Sequence, residues 1–388
     1  LGPGAPAVRV EVDDEAGAVD ASAAWLGRAR AIHREGVGCT LVADADEAEL
    51  LRFRDPPHAP PLRTDLAWPR GEAAAPKPPQ PDLAAALKAA FEEPGDPSAG
   101  RRETRAVLVA HRGRLVAERY APGITPETPL LSWSMAKSVT AALLGVTVLE
   151  GGIDLRAPAP VPEWRVPGDP RGAITPDQLL RMSSGLAFDE TYGAVNDVSR
   201  MLFTRSDIGA FAAGFPLLHP PDTVWSYSSG TSNILARMLR DRFDRDLEKM
   251  VRWSREAFFD RVGMRTAVFE VDASGSFVGS SLLFASGRDW ARFGQLHLQD
   301  GVWEGQRILP EGWSRYVSTP TPAAPEGRYG AGWWLNSGDP ADPARRMWPA
   351  LPREAYAACG KSGQYVMIVP SAELVVVRLG LSTTDDAA

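Results

Sequence analysis

Cysteine is scarce in this sequence, because Cys39 and Cys359 are the only two and lie far apart. The chain therefore has no CxxC motif and no cysteine cluster for a metal ion. Burial statistics favour two independent buried thiols over a long-range disulfide bond, which would require export. The five histidines show no HExxH or other paired spacing. The sequence thus predicts no metal site, and no cofactor is expected.

A surplus of positive charge and long apolar runs are also missing. The net charge of −7 argues against nucleic acid as a general partner, because neutralising phosphates requires an excess of Lys and Arg. The nearest candidate for a membrane span, residues 139–149, is shorter than the ~18 to 20 apolar residues required. No membrane partner is expected from the chain as given.

Two common catalytic motifs are absent as well. No serine lies in a GxSxG sequence, which removes the main signal of an α/β-hydrolase. Gly360, Lys361 and Ser362 form only half of a Walker loop, because Ala355 occupies the position of the first glycine. Neither an α/β-hydrolase nor a nucleotide-binding protein is favoured.

The first 100 residues are predicted to form an N-terminal extension. Before residue 55, only residues 39–42 have the pattern of a short strand, and no chemistry is assigned there. Residues 55–82 are too rich in proline for regular hydrogen-bonded structure and are predicted to form an extended strap. Asp82 is predicted to cap a helix over residues 83–91.

Residues 101–388 have the pattern of one catalytic domain of the α/β (α+β) class. Strands are predicted at 106–110 and 115–120, around a turn at Arg112 and Gly113, and again at 364–369 and 374–379. Helical patterns such as 175–182 and 232–242 lie between them, in a lobe of about residues 152–285. We therefore expect an antiparallel sheet formed by N- and C-terminal segments, flanked by helices, with an inserted helical lobe.

The segment Ser134-Met135-Ala136-Lys137 places a hydroxyl and an amine one helical turn apart. Residues 138–149 are apolar or small on all sides, which predicts a buried helix that ends at the glycine pair 151–152. Residues i and i+3 share a helix face, so the two side chains should point the same way near the positive end of the helix dipole. This arrangement is typical of a serine nucleophile activated by a lysine base.

Two further motifs follow in chain order. Tyr227 lies in the Gly/Ser-rich loop 225–230, and Lys361-Ser362-Gly363 opens the first C-terminal strand. Together, SxxK, Tyr-x-Ser and Lys-Ser-Gly resemble the three boxes of the serine β-lactamase and penicillin-binding-protein superfamily. The chain is most similar there to class C β-lactamases, family VIII carboxylesterases and 6-aminohexanoate-dimer hydrolases, over about residues 104–380. The resemblance implies a β-lactamase/transpeptidase-like fold.

Each motif has an expected catalytic role. Ser134 is the acyl acceptor, and Lys137 must be neutral to take its proton. We expect burial and the positive field of Lys361 and the helix N-terminus to lower the pKa of Lys137. Tyr227 is the alternative base and could return the proton to the leaving group.

The resemblance also implies where the substrate binds. The backbone amides of Ser134 and Gln364 would hold the oxyanion. The other implied substrate-binding residues are Lys361, Ser362, Gly363 and Ser229. Ser229 replaces an asparagine of the lactamases, which argues against recognition of a β-lactam side chain. Lys361 is often histidine in the esterase and amide-hydrolase branch, and a fixed cation favours a substrate carboxylate.

The leading hypothesis is therefore a serine hydrolase that forms an acyl-enzyme with small esters or amides. The enzyme alternative is a β-lactamase or D-Ala-D-Ala peptidase, and the non-enzymatic alternative is a binding protein that keeps the fold. Many relatives are exported and the sequence starts at Leu1 rather than Met, so a periplasmic or secreted location is favoured over a cytoplasmic one. No oligomeric state is predicted.

Overall fold

The computed structural model describes residues 8–23, 27–53, 56–57, 59–61, 63–72, 80–191, 195–342 and 344–383. Its strands are β1 (Val8–Asp13), β2 (Ala18–Ala23), β3 (Gly27–Arg34), β4 (Gly38–Leu41), β5 (Thr104–His111), β6 (Arg114–Tyr120), β7 (Leu130–Leu131), β8 (Val268–Phe269), β9 (Leu283–Ala285), β10 (Val302–Trp303), β11 (Gln306–Arg307), β12 (Trp334–Leu335), β13 (Tyr356–Gly360), β14 (Gln364–Val369) and β15 (Leu374–Gly380). Its α-helices are α1 (Glu47–Leu50), α2 (Pro81–Ala90), α3 (Ala136–Leu149), α4 (Pro176–Leu180), α5 (Asp197–Thr204), α6 (Ile208–Ala213), α7 (Ser229–Asp241), α8 (Leu247–Ser254), α9 (Asp260–Val262), α10 (Gly287–Leu298) and α11 (Trp313–Val317).

The main sheet has six antiparallel strands in the order β12-β13-β14-β15-β5-β6. β-Branched residues dominate β14 and β15, as expected for a pleated, buried surface. β15 pairs with β5, placing Val376 opposite Val109, so the end of the domain closes against its beginning. Arg112 and Gly113 have φ of 49° and 71°, as a two-residue hairpin turn with the correct twist requires. The predicted sheet and both hairpins are confirmed.

Helices cover both faces of this sheet. α10 packs against β5, β14 and β15, and two glycines permit the close approach. A Cβ atom on Gly287 would lie 2.4 Å from the Leu108 side chain, and one on Gly294 would lie 2.4 Å from Val375. Residues of β5 alternate between the two faces. Val107 and Val109 lie on the face of the sheet away from α10, where they pack against Leu87 of α2.

The helix α2 is present where it was predicted, but its cap is different. Gln80 is the capping residue, Pro81 opens the helix, and Asp82 lies in the first turn. Proline suits this position because its missing N–H would have no partner there. The carboxylate of Asp82 interacts favourably with the helix dipole without capping it. The predicted role of Asp82 is therefore wrong.

Helices α3 and α7 pack against each other. Residues 136–147 of α3 are buried and the helix ends before Gly151, as predicted. α7 packs against α3, α4 and α6, and begins at Ser229, three residues earlier than expected. The earlier start follows from the Ser228 hydroxyl, which accepts the Thr231 N–H at 3.3 Å. Ser229 consequently belongs to the first turn of a helix.

The N-terminal extension contains a four-stranded antiparallel sheet, β1-β2-β3-β4, of which only β4 was predicted. All of β1 is exposed, so its alternating valines do not indicate a buried face. Two hydrogen bonds join β4 to the catalytic region. The Cys39 N–H donates to Glu270 at 2.8 Å, and the Thr40 hydroxyl donates to the Val271 carbonyl at 2.9 Å.

The two cysteines do not pair. Cys39 is exposed and Cys359 is partly buried, and both thiols are free. The expectation of two buried thiols is therefore wrong for Cys39. Its place on a strand at the junction with the catalytic region leaves one side of the residue open to solvent.

The strap is held by buried ion pairs. Its described residues from 56 to 72 contain no helix and no strand longer than one residue. Trp68 is buried and donates its Nε1–H to the Arg288 carbonyl at 3.4 Å, and the Glu72 carboxylate pairs with Arg288 and Arg292 of α10. Asp55 and residues 58, 62 and 73–79 of the predicted strap lie outside the described residues. The predicted end of the strap at residue 82 is wrong, because Pro81 and Asp82 belong to α2. Within the described part of the chain, no helix has the length and apolarity to cross a membrane.

Candidate active site

Ser134 lies in a single 3-10 turn, Trp133–Met135, directly before α3. Ser132, which precedes this turn, is bonded to β9: its N–H donates to the Leu283 carbonyl at 2.9 Å. Trp133 has φ of 46°, a conformation that is costly for a bulky side chain and is found most often at functional sites. Ser134 itself is partly exposed, whereas Ser132 and Met135 are buried. The hydroxyl is thus held on a rigid segment and remains accessible.

The amine of Lys137 is buried and reaches three oxygen atoms. Its Nζ atom lies 3.1 Å from Ser134 Oγ, 3.1 Å from Ser229 Oγ and 3.0 Å from the Ser280 carbonyl oxygen. An ammonium group can donate to all three oxygens, whereas a neutral amine donates to two and accepts from the third. The Ser280 carbonyl can only accept. A neutral Lys137 can therefore receive the Ser134 proton while it donates to the other two oxygens.

The protonation of Lys137 depends on two opposing effects. Burial lowers its pKa from 10.5 to about 8, and the Glu190 carboxylate partly offsets this shift. A contribution of the Lys361 charge to this shift stays a prediction. Lys361 is exposed, and the Glu190 carboxylate acts on Lys137 with the sign opposite to that expected of a second cation.

Glu190 was not identified from the sequence. One of its carboxylate oxygens accepts the Ser229 hydroxyl proton at 2.6 Å, and the other accepts the Ser229 N–H at 2.8 Å. Ser229 and Glu190 are 39 residues apart. No motif links them, because their contact depends on the path of the loop that follows α4. Ser229 thus bridges the carboxylate and the Lys137 amine.

The ring of Tyr227 lies beside Lys137. The Lys137 Nζ is 4.9 Å from the ring centroid, a distance at which an ammonium group is attracted to an aromatic face. Tyr227 also contacts Trp225, Tyr329 and Trp334, with ring centroids 5.3 to 6.4 Å apart. These four aromatic residues, with Met182, form what we call the aromatic wall. The structure therefore places the predicted tyrosine next to the predicted base.

The turn at Lys361-Ser362-Gly363 connects β13 and β14 and lies beside the serine segment. A Cβ atom on Gly360 would lie only 2.1 Å from the Ser132 carbonyl oxygen, so the end of β13 touches the backbone just before the candidate nucleophile. Ser362 and Gly363 both have positive φ. Lys361 is exposed at this turn.

The side chain of Gln364 holds this turn in shape. Its Nε2 donates to the carbonyls of Lys361, Ser362 and Gly380 at 3.2, 3.1 and 2.6 Å, and its Oε1 accepts the Gly380 N–H at 3.0 Å. The side chain thus joins the turn to β15. The use of the Gln364 and Ser134 backbone amides for an oxyanion stays a prediction, as do the substrate contacts of the turn.

Solved structures of other proteins share this fold. A candidate 6-aminohexanoate-dimer hydrolase from Bacillus anthracis aligns with a TM-score of 0.60 and 24% identity, over 86% of this chain and 83% of that one. A family VIII carboxylesterase aligns with a TM-score of 0.59 and 16% identity, over 80% of this chain and 95% of that one. At these identities the likeness establishes the fold, which is that of β-lactamase-type hydrolases.

The chain belongs to the beta-lactamase family, whose sequence model matches residues 83–386. A curated relative is the 6-aminohexanoate-dimer hydrolase of Paenarthrobacter ureafaciens, which is 27% identical over 304 residues, 71% of this chain and 72% of the relative. The resemblance predicted from the three sequence boxes is confirmed. Family membership supports a hydrolytic enzyme.

Proposed function

We propose that this protein is a serine hydrolase that forms an acyl-enzyme with small esters or amides. The proposal depends on one observation: the buried amine of Lys137 lies 3.1 Å from the partly exposed hydroxyl of Ser134. Burial brings the pKa of Lys137 to about 8, so a sizeable fraction of the amine is neutral near physiological pH. A desolvated lysine beside a serine is one of the established ways to activate a weak nucleophile.

In the acylation step, Ser134 Oγ attacks the substrate carbonyl and its proton passes to the neutral amine of Lys137. A bond forms between Oγ and the carbonyl carbon, and the C–O or C–N bond to the leaving group breaks. The leaving alkoxide or amine takes a proton from Lys137 or Tyr227. Water then attacks the ester carbonyl and gives a proton to Lys137 or Tyr227. The bond between the carbonyl carbon and Oγ breaks, the same base returns the proton to Oγ, and the acid leaves with Ser134 restored.

The oxyanion formed in both steps needs hydrogen-bond donors. We assign these to the backbone amides of Ser134 and Gln364. Ser134 supports this role because it opens the segment that runs into α3, where backbone N–H groups have no partner within the helix. Each donor in such a site lowers the barrier by about 3 to 4 kcal/mol.

Two observations favour a simple ester or amide over a β-lactam. Ser229 binds Lys137 and Glu190 through its short hydroxyl, which leaves no carboxamide at this position to bind a substrate side chain. The aromatic wall, in which Trp225, Tyr227 and Trp334 are partly exposed, offers an apolar surface beside the Lys137 amine, suited to an alkyl or aryl group. A curated relative named as a 6-aminohexanoate-dimer hydrolase supports an amide of this kind.

The β-lactamase or D-Ala-D-Ala peptidase remains the enzyme alternative. It is favoured by the exposed cation of Lys361, which is suited to a substrate carboxylate. The third alternative is a binding protein without catalysis. The short contact between Ser134 and Lys137 argues against it, because a buried lysine amine is costly to keep and gives no benefit to a purely structural site.

The test compares four probes on the wild type and on Ser134→Ala. We expect hydrolysis of p-nitrophenyl butyrate and of the linear 6-aminohexanoate dimer by the wild type, and loss of at least about 10³-fold in the variant. Labelling by a fluorescent penicillin without ester or amide hydrolysis would favour the alternative enzyme. Absence of any adduct with a fluorophosphonate would favour the binding protein. Ser371→Ala, at an exposed serine remote from the site, is the matched control.

A further inference from the structure

A carboxylate is unexpected beside a lysine that must lose its proton. The Glu190 carboxylate accepts both the N–H and the hydroxyl proton of Ser229, and the Ser229 oxygen in turn accepts from Lys137. A hydroxyl group has one proton to donate. Because that proton is directed to Glu190, the Ser229 oxygen presents only its lone pairs to the Lys137 amine.

The fixed direction of the Ser229 O–H bond determines from which oxygen Lys137 can accept a proton. If the Ser229 hydroxyl could rotate, its proton could be given to the neutral amine and would occupy the nitrogen lone pair. With Ser229 held as an acceptor and the Ser280 carbonyl able only to accept, the lone pair has one remaining neighbour among the three bonded oxygens, Ser134 Oγ. Glu190 thus leaves the lone pair directed at the nucleophile.

The charge of Glu190 acts in a second way. Lys137 lies in the first turn of α3 and is bonded to the first residue of α7, so it faces the positive ends of two helix dipoles. Burial and both dipoles favour the neutral amine. The Glu190 carboxylate opposes them, and its position at the N-terminus of α7 is itself favourable. Because these opposing effects partly cancel, Lys137 can accept the Ser134 proton and then remain protonated until the leaving group needs it.

Other titratable groups lie around this pair. The phenols of Tyr227 and Tyr329, the thiol of Cys359 and the amine of Lys361 belong to the elements packed here. Burial raises the pKa of both Tyr329 and Cys359, so these two groups are neutral where Lys137 titrates. The Glu190 charge acts electrostatically on the Lys137 amine and favours its protonated form.

We propose that Glu190 is a positioning residue that fixes the Ser229 hydroxyl as an acceptor and retains the proton on Lys137 between the two halves of the reaction. The inference rests on the proposed function for the role of Lys137 as the base. The hydrogen-bonded series Glu190, Ser229 and Lys137 rests on geometry. Without the carboxylate, Lys137 would be neutral over a wider pH range and would be a weaker proton donor to the leaving group.

The test observes the Lys137 amine directly, without catalysis. The sequence has five lysines, so a protein labelled with [13Cε]lysine gives a simple spectrum. The Lys137 signal is assigned by its loss in Lys137→Met. In Glu190→Gln we expect its titration midpoint to fall by about 1 pH unit, because an opposite charge has been removed. Glu190→Asp keeps the charge and should restore most of the shift.

The control is Asp189→Asn, which removes the same charge from the adjacent exposed residue. We expect no change of the Lys137 midpoint there, and none for the exposed Lys88 in any variant. A midpoint in Glu190→Gln that is unchanged or higher would overturn the inference. If that variant does not fold, Ser229→Ala removes the bridging hydroxyl and should also lower the midpoint, and an unchanged midpoint would overturn the inference in the same way.

Kinetics separates this inference from the proposed function. The acid limb of kcat/KM for p-nitrophenyl butyrate should move with the Lys137 midpoint in Glu190→Gln. If the midpoint moves and the acid limb does not, Glu190 acts on Lys137 as inferred and Lys137 is not the base. If hydrolysis persists in Ser134→Ala, the proposed function fails, and the NMR titration still decides the effect of Glu190 on the amine.

Discussion

Asn233 binds both the backbone and the side chain of Ser280. Its Oδ1 accepts the Ser280 N–H at 3.1 Å, and its Nδ2 donates to Ser280 Oγ at 3.1 Å. The carbonyl oxygen of the same residue accepts from Lys137 at 3.0 Å. A fully buried side chain of α7 thus positions one of the three oxygens around the proposed base.

Asn233→Ala should therefore impair both activity and stability. The backbone N–H and the hydroxyl of Ser280 each lose a partner in a buried site, which costs about 1 to 3 kcal/mol of the free energy of unfolding. Displacement of the carbonyl misplaces the Lys137 amine, and we expect kcat/KM to fall by about 10²-fold. Urea unfolding and steady-state kinetics measure the two effects. Asp246→Ala, which removes the cap of α8, should lose about 1 kcal/mol and keep kcat/KM.

The pH dependence of hydrolysis should report the titration of Lys137. Its pKa is lowered by burial to about 8, so we expect kcat/KM to rise with pH through an apparent pKa close to that value. The same shift makes the free energy of unfolding rise between about pH 8 and 10.5, because the unfolded chain binds one more proton there. A profile that is flat from pH 6 to 9 would contradict the assignment of Lys137 as the base.

Gly360→Ala should separate the β13–β14 turn from the nucleophile segment. Its Cβ atom would meet the Ser132 carbonyl oxygen at 2.1 Å, and backbone atoms cannot move aside cheaply. We expect a loss of about 1 to 3 kcal/mol in stability and about 10²-fold in kcat/KM. Gly95→Ala, where a Cβ atom meets nothing within 4 Å, is the matched control. Unchanged kinetics in Gly360→Ala would show that this contact does not align the site.

Glu270→Gln should stabilise the protein at alkaline pH. Burial raises the pKa of Glu270 to about 7, while its bond from the Cys39 N–H opposes the rise. The folded state then binds more protons than the unfolded chain between about pH 4.5 and 7, so stability falls as pH increases through this range.

Glutamine keeps an oxygen for the Cys39 N–H and carries no charge. We expect a gain of about 1 to 2 kcal/mol at pH 8 and little change at pH 5, measured by thermal unfolding at both values. Glu311→Gln, at an exposed position, should leave the stability unchanged at both pH values. Equal melting temperatures of Glu270→Gln and wild type at pH 8 would refute the burial argument.

The sequence was most informative where local geometry controls structure. The contact between Ser134 and Lys137 follows from i, i+3 spacing, and the turn at Arg112 and Gly113 follows from its need for positive φ. The length of α3 followed from an apolar pattern with no polar face. These features require no knowledge of distant parts of the chain.

Contacts between distant residues could not be predicted. Glu190 reaches Ser229 across 39 residues, and Asn233 reaches Ser280 across 47. Both depend on how loops pack on α7, which residue types alone do not specify. The N-terminal sheet was missed for a related reason, since its outer strand β1 is exposed and buries no apolar face. The Glu190 charge that acts on Lys137 was not predicted, because Glu190 lies in such a loop.

The most direct test of the central claim is to trap the acyl-enzyme. Wild-type protein is mixed with p-nitrophenyl butyrate, quenched with acid within milliseconds, digested and analysed by mass spectrometry. We predict one butyryl group on the Ser134 oxygen, absent from Ser134→Ala and present in Ser371→Ala. A butyryl group on another residue, or undiminished hydrolysis by Ser134→Ala, would contradict the account.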